Sequence, residues 1–282
     1  MIQHNCKNCV NLFSGKFCNN CGQKVYAEKD KSVRHFFDET FHFFTHLDNK
    51  FLRTLYLIFR RPGHLSLSYC DGIRNRYYKP LSLFFIGVIL YLLFPFLPGL
   101  NLAFLSNMVN FKAQGMTLIS DMAINKAAAK SISLKQLAEI YDSRSANYAK
   151  VLLLVIIPFT AIALKLLFFR KRRYYFDHLI LATEASSVTL YLIFFILPFI
   201  LFINGQVFRI LNLKDAVRSG DLVTMNVIAL FLLIWSTAAF IKFYKLSFLH
   251  AFLKGILFLF LHYIVIYIIY RLILFLIVLL FI

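Results

Sequence analysis

The sequence predicts an all-α polytopic membrane protein with about five transmembrane helices, a small N-terminal zinc ribbon and an amphipathic interfacial helix. Of 282 residues, 60% are hydrophobic and 16% are charged, against roughly 45–50% and 25% in soluble domains. Five apolar runs are long enough to cross a bilayer, and four cysteines form two C-x2-C pairs. This composition excludes a disordered chain, a collagen-like chain and an ordinary soluble enzyme.

The five apolar runs define the membrane part, because a helix needs about 20 apolar residues to cross the ~30 Å hydrocarbon core. The expected spans are about 81–100, 151–169, 185–203, 222–241 and 251–282, with an outer loop over 101–149. Before them we place the ribbon at 1–25, a linker at 26–31, and an amphipathic helix with a basic, aromatic segment at 32–80. The run 251–282 is expected to form one long tilted helix, with a span plus an embedded tail as the alternative.

The outer loop contains one helix signal, over Ser133–Lys150. Ser133 and Gln136 have the spacing of a capping box, in which each side chain bonds to the backbone of the other residue. We therefore expect a helix that begins after Ser133.

The chain is strongly basic, with 31 Lys and Arg against 13 Asp and Glu and a formal net charge of +18. In so apolar a chain this charge favours an anionic membrane surface over nucleic acid as the partner. The N-terminal residues lack the apolar stretch of a signal peptide, so the N-terminus is expected in the cytoplasm. Basic residues before the first span and at Arg170–Arg173 then stay inside. These features predict a bacterial inner-membrane protein whose C-terminus lies outside.

The cysteine pattern Cys6-x2-Cys9-x8-Cys18-x2-Cys21 is typical of a structural Zn²⁺ site with four thiolate ligands. A module of this size cannot fold on its apolar core alone, so the metal would supply the stability. Two disulfides are the alternative, but they need an oxidising compartment. A complete four-thiolate shell has no open position for a substrate, which indicates a structural or docking role. The ribbon has no aromatic and basic stripe, so nucleic acid is not an expected partner.

An amphipathic helix is predicted from Val33 to Ile58, where apolar residues recur every three or four positions. Such a helix lies in the inner membrane interface or packs on the bundle. Its polar face carries His35, His42 and His46. These histidines are interpreted as solvated polar residues, with a metal site as the alternative.

The segment 60–80, which we call the collar, mixes arginine and tyrosine directly before the first span. Guanidinium groups match phosphate oxygens in a bidentate way, and tyrosines favour the lipid interface. The collar residues that could contact an anionic headgroup or phosphate are Arg60, Arg61, Arg74, Arg76, Tyr77 and Lys79. Simple anchoring and control of topology is the interpretation we favour for these residues, with a specific headgroup or phosphate pocket as the alternative.

Four ionisable residues lie in or beside the predicted spans, where charge is costly and indicates function: Lys165, Glu184, His262 and Arg271. Lys165 and Glu184 match in depth, which suits an ion pair, although Lys165 could also extend to the headgroups. His262 and Arg271 either line a pathway or, for Arg271, reach outer headgroups. The spans carry no acidic residue midway, which argues against a proton-coupled transporter.

Four motifs resemble an uncharacterised bacterial family of polytopic membrane proteins that is classified as a domain of unknown function. They are Cys18-Asn19-Asn20-Cys21-Gly22-Gln23, Thr54-Leu55, Arg61-Pro62-Gly63 and Tyr69-x-x-Gly72-x-Arg74-x-x-Tyr77-x-x-Pro80. The resemblance covers about residues 6–100, and Ile73 departs from it where a lysine-like residue is expected. It implies an N-terminal zinc ribbon before a helical membrane part, and no chemistry.

The sequence contains no nucleotide-binding loop, nucleophile elbow, HExxH motif or catalytic carboxylate pair. An enzyme is therefore not indicated. We expect a non-enzymatic accessory or scaffold protein whose ribbon docks a cytoplasmic protein partner and whose collar contacts anionic lipid. One alternative is a transporter or lipid-handling protein with a cavity lined by Lys165, Glu184 and His262. The other is a metal-dependent membrane enzyme that uses the histidine face.

Overall fold

The computed structural model describes residues 3–25, 49–93, 102–196, 198–199 and 220–282, and these residues are mostly helical. The predicted all-α class is confirmed in this coarse form. The linker 26–31 and most of the predicted amphipathic helix lie outside the described residues, as do His35, His42 and His46.

The N-terminal module, residues 3–25, is built on a two-stranded antiparallel hairpin. Strand β1 (Gln3–Asn5) pairs with β2 (Leu12–Ser14), and His4 lies opposite Phe13. Phe13 is buried beside cysteine side chains, which form most of the interior of the module. This interior is too small to stabilise the module by apolar burial alone.

Among the described residues between this module and the bundle are α1 (Asn49–Arg60), α2 (His64–Cys70) and α3 (Pro80–Leu93). Helix α1 ends where Pro62 and Gly63 predict it to end, because proline lacks the N–H that would continue it. Gly63 has a φ of 71°, and a Cβ there would lie 2.9 Å from the carbonyl oxygen of Ala239. Both the backbone conformation and the close approach therefore require glycine at this turn.

The described part of the predicted outer loop contains α4 (Phe104–Ala113), α5 (Thr117–Ala129) and α6 (Leu134–Leu152). The capping box of α6 is confirmed, since Ser133 Oγ accepts from the Gln136 amide and Gln136 Oε1 accepts from the Ser133 amide. The sequence analysis did not predict α4 and α5. Packing stabilises α4, whose Phe104 and Phe111 both contact Phe275. A helix as short as this is not stable by itself in water and depends on such contacts.

The bundle consists of α7 (Ile156–Leu167), α8 (Tyr175–Tyr191), α9 (Gly220–Tyr244), α10 (Phe248–Ile264) and α11 (Arg271–Phe281). π-helical turns extend α8 over Leu192–Ile196 and join α10 to α11 over Val265–Tyr270. Helix α8 lies in the interior, since every residue from Phe176 to Tyr191 is buried. At Gly87, α3 approaches α8 so closely that a Cβ would collide with the Leu190 side chain.

Three helical runs are long and apolar enough to cross a membrane: Tyr175–Ile196, Asn226–Tyr244 and Phe248–Phe281. A fourth results if Leu134–Ala149 and Leu153–Leu167 act as one bent span, and Pro80–Tyr91 is a shorter apolar helix. These helices indicate a membrane protein. The described residues thus contain three to four candidate spans, whereas the sequence predicts five, two of which extend beyond the described residues.

The long run Phe248–Phe281 is continuous, and its crossing of the membrane as one tilted span stays a prediction. The span predicted from Val151 begins differently. A 3₁₀ turn occupies Leu153–Val155, and the chain bends there by 56°. Pro158 has no N–H to donate to the carbonyl four residues earlier, so a regular helix is interrupted at this turn.

Candidate metal centre and collar

The four cysteines of the predicted zinc ribbon come together in the N-terminal module. Their Sγ atoms all lie within 4.8 Å of one another. The Cys6 and Cys21 sulfurs are 3.5 Å apart, and those of Cys9 and Cys18 are 3.6 Å apart. All four are free thiols. A tetrahedral site with metal–sulfur bonds of ~2.3 Å needs sulfurs roughly 3.8 Å apart, so the four cysteines could bind one metal ion.

The two C-x2-C pairs form the same backbone turn. The amide of Val10 donates to the Cys6 carbonyl, and the amide of Gly22 donates to the Cys18 carbonyl, both at 2.8 Å. The residue after each pair has a positive φ, 63° at Val10 and 69° at Gly22. A hydrogen bond from the Asn8 side chain lowers the pKa of Cys21 to about 6, which favours the thiolate that a metal requires. Cys9 shifts the other way: although the Asn11 amide lowers its pKa, burial and hydrogen bonds to the other cysteines raise it to about 11.

Val10→Gly is expected to tighten Zn²⁺ binding about fivefold, since a β-branched residue with positive φ costs roughly 1 kcal/mol. The Val10 side chain is 73% exposed, so its removal sacrifices little packing. The measurement is chelator competition on the purified full chain. The matched change Gly22→Val should weaken binding, and an unchanged affinity of Val10→Gly would contradict the strain argument.

The N-terminal module is attached to the loop 71–75 of the collar. Hydrogen bonds run from Lys7 Nζ to the Asp71 carbonyl (3.0 Å), from Gln23 Nε2 to the Gly72 carbonyl (3.0 Å), from the Asn75 amide to Gln23 Oε1 (3.0 Å) and from Asn75 Nδ2 to the Cys21 carbonyl (2.6 Å). Gln23 is buried and both donates and accepts. Because Gln23 follows the second cysteine pair, the metal centre and this loop share one hydrogen-bonded unit.

The collar is in turn attached to the bundle through Glu184 of α8, and the end of α1 is attached through Trp235 of α9. Glu184 Oε1 accepts from the Gly63 amide at 3.0 Å, and Oε2 accepts from the amide of Ser66 at 2.8 Å and from its hydroxyl. The carboxylate thus satisfies amides at the start of α2 that have no partner within the helix. Trp235 Nε1 donates to the Ile58 carbonyl at 2.7 Å, which satisfies a carbonyl at the end of α1.

The ion pair between Lys165 and Glu184, one of the two arrangements that the sequence allows, is not formed. Glu184 is fully buried and bonded to α2, whereas Lys165 is exposed, with its Nζ 5.9 Å from the centre of the Tyr175 ring. Donors from a helix start satisfy the carboxylate without the burial of an ammonium group, which would be costly. Equal depth in the sequence therefore did not place these two side chains together.

The other two intramembrane residues also lie apart. His262 is buried between Thr160 and Thr189, with each hydroxyl 3.2 Å from a ring nitrogen. The Arg271 guanidinium lies 4.6 Å from the centre of the Tyr267 ring. The cavity beside His262 measures about 20 Å³, room for a single water. Neither Lys165 nor Glu184 lines this cavity beside His262.

The predicted collar residues divide into a buried and an exposed group. Arg74 is buried, with its guanidinium 4.5 Å from the centre of the Tyr69 ring and 5.8 Å from that of Phe176. It therefore packs inside the collar, away from the surface. Arg60, Arg61 and Arg76 are exposed, and Tyr77 and Lys79 are half-buried.

Sequence reasoning did not single out Gln23, Ser66, Asn75 or Trp235. Trp235 is the lone tryptophan, and Ser66 stands three residues after Gly63, a position whose amide is often capped. These signals are local, however, whereas the partners are distant. Glu184 lies 118 residues from Ser66 in the sequence, so no spacing pattern connects them.

Comparison with known families gives one match, of residues 48–92 to the family described as "Protein of unknown function (DUF3667)". The matched segment contains α1, α2 and nearly all of α3, and therefore the whole collar, residues 60–80. No curated protein and no solved structure matches the chain.

Proposed function

We propose that this chain is an accessory or scaffold protein of the bacterial inner membrane, with its N-terminus in the cytoplasm. Its N-terminal module would be a zinc ribbon that holds Zn²⁺ on Cys6, Cys9, Cys18 and Cys21 and docks a cytoplasmic protein partner. Its collar would contact anionic lipid. The observation that carries this proposal is the hydrogen-bonded attachment of the module to the 71–75 loop.

That attachment argues for docking because it holds the module in one orientation. Gln23 and Asn75 fix the module to the collar, and Glu184 fixes the collar to α8. When a partner binds, a module that is already held in one orientation loses less conformational freedom than a module on a flexible tether. Four thiolate ligands also leave the metal no open position for catalysis, which favours a structural role for Zn²⁺.

The exposed surface of the module indicates the chemistry of the partner. Val10, Leu12 and Phe17 are 73%, 66% and 61% exposed, and we infer that these apolar side chains belong to the contact surface, because a partner would remove them from water. Lys16, next to Phe17, is also exposed. The module therefore suits a protein with an apolar contact surface and acidic residues at its rim.

The docking proposal is tested by a photo-crosslinking residue at Phe17 or Leu12 in cells of the native host. We expect both positions to yield the same crosslinked protein. In the protein that carries the crosslinking residue at position 12, the further change Phe17→Asp should abolish the product, because it places a charge in the apolar contact. The combined change Gln23→Ala and Asn75→Ala should reduce it, because the module loses its fixed orientation.

The control position is Leu118 in α5, which is 78% exposed and lies in the predicted outer loop. It should give no such product. Absence of a product at Phe17 and Leu12, or the same product at Leu118, would contradict docking by the ribbon.

A further inference from the structure

Three cations of the collar and bundle lie close enough to His64 to lower its pKa, after the larger effect of burial. They are Arg61 in the turn after α1, Arg76 after the 71–75 loop and Lys242 in the last turn of α9. All three side chains are exposed. We call these three residues the basic cluster.

The turn that carries Arg61 packs directly on α9. A Cβ at Gly63 would lie 3.1 Å from the Cα of Ala239. Lys242 follows Ala239 by three residues, so both lie on the same side of the helix. This contact brings the charged end of α9 beside the turn.

Aromatic contacts bring the third cation to the same place. Tyr77 Oη lies 3.3 Å from His64 Nε2, and the two rings meet edge to face with centres 5.8 Å apart. The Arg76 guanidinium lies 5.7 Å from the centre of the Tyr77 ring. The backbone amide of His64 donates to the Arg61 carbonyl. His64 therefore connects Arg61 to Arg76 through the Tyr77 ring.

The three cations are not paired with acidic side chains among the described residues. None of the three cations forms an ion pair with a described carboxylate, and Glu184 is already bonded to the amides of Gly63 and Ser66. Burial, and then the charges of Lys242, Arg61 and Arg76, lower the pKa of His64. Nδ1 of this ring is buried without a hydrogen-bond partner among the described residues.

We propose that the basic cluster binds one phosphate group, held between Arg61, Arg76 and Lys242 beside His64. Like charges that converge without a counter-ion repel one another, and an anion relieves that repulsion. A phosphate offers oxygens in several directions to three donors from separate elements, whereas a planar carboxylate offers two. The cluster lies at the end of the candidate span Asn226–Tyr244, the level at which headgroup phosphates lie. This inference rests on the proposed contact of the collar with anionic lipid and gives it a site.

The test compares two triple variants of the full chain that lose the same charge. One is Arg61→Gln, Arg76→Gln, Lys242→Gln. The other is Arg170→Gln, Lys171→Gln, Arg172→Gln, in a run that the basic cluster does not include. Each protein is reconstituted in phosphatidylcholine with a minor share of phosphatidylglycerol, and retained lipid is counted by native mass spectrometry. We expect the first variant to retain phosphatidylglycerol at least about tenfold less than wild type, and the second to match wild type.

A second arm titrates delipidated protein with inorganic phosphate and follows the His64 ring by NMR. A shift of the His64 signals that wild type shows and the first triple variant lacks supports a site that binds free phosphate. It supports that site even if wild type retains no phosphatidylglycerol. Lipid retention without this shift assigns the site to a headgroup. Equal loss of lipid in both triple variants overturns the site but leaves a general lipid contact of the collar. If wild type neither retains phosphatidylglycerol nor shows the His64 shift, both the phosphate site and the lipid contact of the collar are overturned.

Folding of the first variant is checked by its Zn²⁺ content, which should equal that of wild type. The pair Arg61→Lys, Arg76→Lys keeps the charge but removes the guanidinium forks, and should reduce binding by less than the triple variant. Full loss in Tyr77→Phe alone would be inconsistent with a site built on three cations.

Discussion

Replacing Cys18 with serine is expected to abolish Zn²⁺ binding by the N-terminal module and to release the module from the 71–75 loop. Cys18 is 2% exposed, and its amide donates to the Gln23 carbonyl at 2.8 Å. A serine hydroxyl is not a thiolate ligand, and so small a module depends on its metal for folding. Once the turn is lost, Gln23 no longer has a fixed position from which to bind Asn75.

Two measurements on the full chain follow this loss. Elemental analysis should show Zn²⁺ falling from a stoichiometric amount to a trace. Hydrogen exchange at the Asn75 amide should become at least about tenfold faster, because this amide is protected only while Gln23 Oε1 accepts its hydrogen bond.

The matched control is Cys70→Ser, the same substitution at the fifth cysteine. Cys70 is buried in α2 outside the metal cluster, and burial raises the pKa of its thiol well above the usual value. This variant should keep both Zn²⁺ and the protection of Asn75. Protection of Asn75 that survives in Cys18→Ser would show that the attachment does not depend on the metal.

The features that the sequence predicts correctly are local ones. The cysteines that come together lie within residues 6–21, and the capping box joins residues three positions apart. Their partners are fixed by the geometry of one or two turns, so spacing alone identifies them. Apolar length identifies candidate spans for the same reason, because it depends only on consecutive residues.

The collar could not be predicted in this way, because distant elements determine it. Depth along a helix says nothing about the direction in which a side chain points, so Lys165 and Glu184 match in depth and still lie apart. Helix α8 is buried along nearly its whole length, and its carboxylate therefore had to find donors inside the protein. Lys242 is likewise distant in sequence from Arg61 and Arg76, and it becomes part of a cluster only through the contact of Gly63 with Ala239.

Glu184→Ala is expected to destabilise the bundle by about 3 kcal/mol, because each buried donor left without an acceptor costs about 1–3 kcal/mol. The two amides and one hydroxyl that lose their partner belong to Gly63 and Ser66. For a chain of this size the loss corresponds to a fall in melting temperature of roughly 6–12 °C. Thermal unfolding of the detergent-solubilised full chain gives the measurement. Glu184→Gln keeps one acceptor oxygen but turns an NH₂ group toward the donors, so it should lose an intermediate amount.

A double-mutant cycle assigns this loss to the start of α2. Ser66→Ala should destabilise the wild type by about 1 kcal/mol and add little in the Glu184→Ala background, because the hydroxyl has then already lost its acceptor. Glu139→Ala, the same substitution at an exposed position of α6, should change the melting temperature little. Additive effects of Ser66→Ala and Glu184→Ala would contradict the capping role. In that case packing on α8 and the bond of Trp235 to the end of α1 would hold this region in place. The stability of the protein would then not depend on the Glu184 carboxylate.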